Sequence, residues 1–456
     1  EMNIRDWSSD VCSSDLLYPT GQSTPAHTDP EIRTFSHIRV SEVVTLMQVR
    51  PKRPTVTVTL PGPTLGVVGG GQLGRMLAEA AAPLGVEVIV LDPTPDCPAS
   101  PVARAQVEGD FDDPEAVHDL AARVDALTFE IELADPDLLE EVQDEYDVPV
   151  HPSPDTLRMI QDKLVQKDTL GDAGIPIPVF RRVDDAADLR DAVEEFGSVM
   201  LKARTGGYDG RGNVPVTSPD EVEEALEYIG HAPAMAETFV DFVREVSVIG
   251  VKGADEVRAF PLGENVHEEE ILRETVVPAR TSDAVTERAK DVAYDVLDQL
   301  DGRGVYGIEL FETPDGEILV NEIAPRPHNS GHWTIEGALT SQFEQHARAV
   351  LGWPLGATDL RAPTVSANIL GDVDESQPAE LHGVDGVLAA DGVSLHWYGK
   401  REVRPLRKMG HITAVGDAGH LAAVSNGGVD VGDDSSAVDD LLASARDHVD
   451  SLTFDP

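Results

Sequence analysis

The stretch GIELFETPDGEILVNE, residues 307–322, decides the fold. GIELF and EILV read as strands, and Asp315-Gly316 between them is a strong hairpin signal. Two antiparallel strands joined there set Glu309 beside Asn321 and Glu322. Hard oxygen donors gathered at one point suit Mg²⁺ bridging ATP phosphates, whereas two close carboxylates without a cation repel each other. A lone strand glutamate is ordinarily only solvated, so the reading rests on the pairing and on its flanks.

Downstream runs APRPHNSGHWT, residues 324–334, too polar for a core and too rigid for a linker. Arg326, His328, Asn329, Ser330 and His332 there read as a shaped site. A zinc pair from His328 and His332 has helical spacing, but Pro327 and the Asn-Ser-Gly turn oppose a helix. Upstream, TGGYDGRGN, residues 205–213, carries four glycines just after Lys202. Such a loop can cover a triphosphate with backbone N–H groups while Lys202 supplies a point charge. A plain hairpin turn at Asp209-Gly210 is the other reading.

Near the start of the ordered pattern, the strand Leu65 to Val68 meets a glycine turn and an Ala-rich helix, and Val86 to Leu91 is the next strand. Gly69, Gly71 and Gly74, with Asp92 following, satisfy the dinucleotide fingerprint and by themselves suggest a dehydrogenase. What glycines before a helix N-terminus require is only an anion, and a substrate phosphate fits equally well.

Length and composition set the frame. A chain of 456 residues exceeds a single core and suggests several domains. We read residues 1–60 as a disordered or artefactual leader, 61–154 as a small doubly wound domain, 155–245 as a lid and 246–370 as a larger mixed sheet with helices. Residues 371–456 read as a small β-rich tail of short strands and turns. Pro154 through Leu170 reads as one amphipathic helical pattern. The acidic excess, 83 Asp and Glu against 35 Lys and Arg, argues against nucleic acid as a partner, and no apolar run is long enough to span a membrane. A net charge of −48 also suits a salty cytoplasm, since about 1 M salt shortens the Debye length to roughly 3 Å. Cys12 and Cys97 show neither metal nor redox spacing, which fits a reducing, cytoplasmic setting.

Five blocks in order, VMLKARTGGYDGRGN, AETFVDFVREVSV, FPLGENVHEEEIL, GIELFETPDGEILVNEIAPRPHNSGHWT and WYGKREVRPLRKMGHIT, closely resemble the 5-(carboxyamino)imidazole ribonucleotide synthases of the ATP-grasp superfamily. The resemblance runs from about Leu65 to the C-terminus. It implies an α/β (α+β) ATP-grasp fold with an N-terminal pre-ATP-grasp domain. It also implies a homodimer that uses ATP, Mg²⁺ and bicarbonate to carboxylate 5-aminoimidazole ribonucleotide through carboxyphosphate. By the same resemblance Lys163 and Lys202 would meet ATP, beneath a loop of Gly206, Gly207, Tyr208, Asp209, Gly210, Arg211, Gly212 and Asn213. Glu237, Thr238, Phe239 and Val240 would be the hinge reading adenine through backbone groups, with Glu245 on the ribose and His267 lining the site. Glu309, Asn321 and Glu322 would hold magnesium. Tyr208, Asp209, Arg211, Asn329 and Ser330 would face the imidazole nucleotide, and Lys400, Arg404, Arg407 and Lys408 its 5′-phosphate. Lys202 and Arg326 would neutralise charge in the transfer, and Asp209 would orient the amine. Two departures are Lys163, where the family often has Arg, and the acidic run Glu268 to Glu270 beside His267. A formate-dependent glycinamide ribonucleotide ligase, a dehydrogenase and a non-catalytic nucleotide binder are the competing readings.

Overall fold

The structure, a computed structural model, describes residues 58–206, 212–268, 271–417 and 431–454, with the backbone alone for 431–436. The expected leader lies, but for its last three residues, outside them.

The N-terminal part is a parallel sheet flanked by helices. Its elements are β1 (Thr64–Val68), α1 (Gln72–Ala81), β2 (Glu87–Leu91), β3 (Ala105–Val107), α2 (Pro114–Ala121), β4 (Ala126–Phe129) and α3 (Pro136–Tyr146), with strand order β3-β2-β1-β4. Near-continuous apolar strands such as ALTF, buried at every residue, are what a parallel sheet covered on both faces demands. Asp113 and Asp135 accept N–H bonds at the starts of α2 and α3, and each helix opens on proline.

The single helical pattern expected from Pro154 to Leu170 is two helices, α4 (Pro154–Gln161) and α5 (Lys163–Asp172). Asp162 breaks it. Its carboxylate caps Leu164 and Val165 and pairs with Arg204, a better use of a short acid than a place inside a helix. The lid sheet follows, with β5 (Phe180–Val183), α6 (Ala186–Phe196), β6 (Val199–Ala203), β7 (Asn213–Val216), α7 (Val222–Tyr228) and β8 (Ala234–Thr238), in the order β5-β8-β6-β7.

The central elements are β9 (Arg244–Lys252), β10 (Val257–Ala259), β11 (Gly263–Glu268), β12 (Ile271–Val277), α8 (Asp283–Gln299), β13 (Gly304–Glu312), β14 (Ile318–Ala324), α9 (Thr334–Gly337) and α10 (Gln342–Val350). Behind them come β15 (Thr364–Leu370), β16 (Gln377–Pro378), α11 (Val384–Leu388), β17 (Val393–Trp397), β18 (Glu402–Val403) and β19 (Lys408–Val415). One sheet runs β14-β13-β9-β11-β12-β15-β19-β17, with β10 on β9, so strands of the expected tail extend the sheet of the preceding part. The tail is also less β-rich than expected: Val431–Asp450 is a 20-residue helix. Its Asp-, Ser- and Ala-rich sequence hides the few apolar side chains, Val438, Leu442 and Ala445, that it buries, while Arg446 pairs with Glu274 of β12 at 2.9 Å.

His346 on α10 ties two of these layers. Its Nδ1 accepts the Val305 N–H of β13 at 3.0 Å, and its Nε2 meets the Thr128 hydroxyl of β4 at 2.8 Å. Burial, helped by nearby His151, holds this imidazole at about 3, well below its ordinary value. A second proton has to displace the Val305 bond. The unfolded chain therefore binds more protons between about 6.5 and 3, and stability falls with pH in that window. Denaturant unfolding should show an acid slope shallower by about 1.4 kcal/mol per pH unit in His346→Asn than in the wild type. Parallel slopes would exclude this coupling.

Candidate functional site

Glu309 and Glu322 are direct cross-strand partners in the β13–β14 ladder. The register then slips between Glu309 and Leu310, which leaves Asn321 as an extra, bulged residue. Burial shows the consequence. Ile318, Val320 and Ile323 join Ile308 and Leu310 in the core against α8, while Asn321 and Glu322 fall together on the opposite face with Glu309. The bulge thus converts strict alternation into adjacent polar side chains beside one carboxylate.

The charges around them are matched. Lys163, at the first turn of α5, donates to Glu322 Oε1 at 2.9 Å. Lys163's charge holds the Glu322 carboxyl down at about 2, although the side chain is half exposed. Burial, and then the charge of Glu322, push Glu309 up to about 7. His328 Nε2 lies 3.6 Å from Glu309, and His267 Nδ1 lies 3.3 Å from Glu245 Oε1. Burial opposes a proton on His267, but Glu245 and the charge of Glu309 raise its affinity. A carboxylate whose proton affinity is raised this way is short of positive charge, and the hard-oxygen set Glu309, Asn321 and Glu322 fits Mg²⁺.

Lys202 on β6 contacts Glu237, whose carboxylate also meets Lys167 Nζ at 2.6 Å. The expected hinge residue therefore has a side-chain role that its backbone assignment did not include. Thr238 ends β8, and residues 239–243 carry the chain to β9, with Phe239 half exposed and Phe242 stacked on Phe311 at 4.9 Å. Ala203 N–H donates to Gly212 O, and Lys202 pairs with Asn213, so Gly206 and Gly212 stand at the mouth of a β6–β7 hairpin. The hairpin and phosphate-loop readings are thus compatible. Gly207, Tyr208, Asp209, Gly210 and Arg211, like Glu269 and Glu270, lie outside the described residues.

The polar run after β14 packs on β13. A Cβ on Gly307 would stand 2.5 Å from His328 Cβ, so only glycine admits this loop. Gln342 holds the His328 backbone N–H at 2.9 Å and carbonyl at 2.7 Å, Ser330 meets His328 Nδ1 at 2.8 Å, and the Asn329 amide nitrogen is buried with no hydrogen-bond partner among the described residues. His332 contacts Gln342 and the ring of His411. Arg326, expected to neutralise phosphate, is engaged by Glu132 at 2.8 Å.

Each of the four cations expected on a 5′-phosphate has a partner within the chain. Lys408 opens β19, and its charge acts on Glu309, His267 and His328. Lys400 donates to the Lys408 carbonyl at 2.6 Å over the Tyr398 ring. Arg404 pairs with the Glu402 carboxylate at 3.2 Å and Arg407 donates to the Glu402 carbonyl at 2.7 Å.

The glycine turn before α1 is closed to a dinucleotide. Glu130, just beyond β4, accepts the N–H groups of Gly71 and Gly74, and a Cβ on Gly69 would sit 2.3 Å from Glu130 Cγ. Asp92 accepts from Gly70 at 3.0 Å and from Thr94 at 2.8 Å, so both its oxygens brace the turn. The anion the turn requires is part of the chain. Lys167, Glu130 and Glu132 were not singled out in the sequence. The signals were present, in a lysine one helical turn after Lys163 and in FEIE following a strand.

Comparison with known proteins follows the same outline. Residues 63–161 match the ribonucleotide synthetase preATP-grasp domain, 168–343 the ATP-grasp domain, and 364–423 the phosphoribosylaminoimidazole carboxylase C-terminal domain. The N5-carboxyaminoimidazole ribonucleotide synthase of Brucella melitensis is 44% identical over 359 residues, spanning 78% of this chain and 97% of its own. The chain belongs to the N5-carboxyaminoimidazole ribonucleotide synthase family. The Thermotoga maritima synthetase of this family superposes with a TM-score of 0.74 at 39% identity, covering 86% of this chain and 99% of its own. An Aspergillus clavatus synthase solved with ADP and 5-aminoimidazole ribonucleotide gives 0.74 at 37% identity, covering 85% and 98%. Membership in this synthase family removes the dehydrogenase reading that the glycine fingerprint invites.

Proposed function

We infer that this enzyme uses ATP and bicarbonate to carboxylate 5-aminoimidazole ribonucleotide, releasing ADP and phosphate, in purine synthesis. The supporting observation is the convergence of Glu309, Asn321 and Glu322 on one face beside Lys163, with Lys202 at the mouth of the glycine hairpin. Lys163 and Lys202 would meet the triphosphate, residues 237–240 the adenine and Glu245 the ribose. Glu309, Asn321 and Glu322 would hold Mg²⁺, which supplies charge neutralisation on the phosphates. Phosphoryl transfer to bicarbonate depends on positioning and neutralisation more than on covalent help, and this lysine and carboxylate set provides both. Lys408 would hold the substrate's phosphate. Asn329 and Ser330 would face the imidazole ring, joined from the glycine loop by Tyr208, Asp209 and Arg211.

The test is ADP release with 5-aminoimidazole ribonucleotide and bicarbonate, each omitted in turn, in molar salt because of the acidic surface. Release should require both. Release supported instead by glycinamide ribonucleotide and formate would transfer the chain to another ATP-grasp reaction. Cytoplasmic location and a homodimer belong to the same proposal; among the described residues no helix is long and apolar enough to cross a membrane.

A further inference from the structure

Lys167 is 2% exposed, an unusual place for an ammonium group, and nothing in the reaction outlined above employs it. Its Nζ lies 2.6 Å from Glu237 Oε1 and donates to the Val320 carbonyl at 3.0 Å, two residues before Glu322. Glu237 is itself only 3% exposed, and its second oxygen contacts Lys202. One buried carboxylate is thus clamped between two lysines, of which Lys202 is the more accessible. We propose that Lys167 is a positioning residue of the nucleotide site, neutralising Glu237 from behind so that Lys202 can exchange that carboxylate for a nucleotide phosphate.

The proposal rests on Lys202 meeting ATP. A triphosphate can recruit Lys202 only by drawing its ammonium from Glu237. With no other cation on Glu237 that exchange would strand a buried negative charge, which costs several kcal/mol. Lys167 remains in contact throughout, and its bond to β14 anchors it to the strand that bears Asn321 and Glu322. Burial lowers its proton affinity to about 8 despite Glu237, with Lys202 and Lys163 as further opposing charges, so the cation that performs this task is itself held at a cost.

The test compares KM for ATP in Lys167→Met, Lys167→Arg, Lys202→Met and the double variant Lys167→Met with Glu237→Gln. Lys167→Met should raise KM for ATP about 10- to 100-fold, the effect of removing one member of a buried ion pair, with kcat changed less than about threefold. Lys167→Arg should restore part of the loss. The double variant, which has no carboxylate left to strand, should return KM to within about threefold of wild type. A merely structural lysine would lower the active fraction and leave KM unmoved. Unchanged KM in Lys167→Met overturns the proposal, as does a double variant as impaired as the single. If Lys167→Met does not fold, the double variant decides by the same criterion. Should Lys202→Met leave KM for ATP unchanged, the assignment of Lys202 fails. Should Lys202→Met raise KM while Lys167→Met does not, only the inference about Lys167 fails.

Discussion

Glu322→Ala lowers ATP turnover by about a thousandfold or more, because a cation on the phosphates supplies several kcal/mol of transition-state stabilisation. The fold should survive the change. Glu322 stands half exposed on the non-core face of β14, where it pairs with Lys163. Circular dichroism and a thermal melt should match the wild type while ADP release collapses. Turnover near the wild-type rate in the variant would remove the metal-holding role. Glu309→Gln should do similar harm by a different route, since that carboxylate is more buried and faces both His328 and His267.

Lys408→Met should raise KM for 5-aminoimidazole ribonucleotide about 10- to 100-fold, the worth of a charge-assisted contact to phosphate. Arg404→Ala should change it less than about threefold, because an exposed ion pair contributes little. The contrast separates two residues that the sequence treats as equals, and it is read from initial rates at saturating ATP. The reverse ranking would place the substrate phosphate beside Glu402.

What was legible in the sequence was whatever announced itself by local pattern. The parallel N-terminal sheet, the DG hairpin and the glycine loop follow from short runs whose apolar period and turn residues agree. Asn321 and Glu322 are less transparent. A strict period of two would have sent them to opposite faces, and only the bulge opposite Glu309 brings them together. The break at Asp162 was hidden because its ion-pair partner Arg204 lies 42 positions away. Distance along the chain also concealed the pairing of Glu132 with Arg326, as it did the three-residue set of Lys167, Glu237 and Lys202. The C-terminal helix was missed for the opposite reason, since its few buried positions are diluted by acidic and small residues.

The long sheet has one further implication. On a flat sheet β19 would stand about 24 Å from β13, five strand spacings away, yet the Lys408 charge acts on Glu309. The strands must therefore roll around the loop that follows β14. Register slips at Val266/His267, Glu309/Leu310 and Ile369/Leu370 provide bends of that kind. Curvature then becomes a determinant of reach: inserting or deleting a single residue at one of these kinks would alter how far Lys408 stands from Glu309.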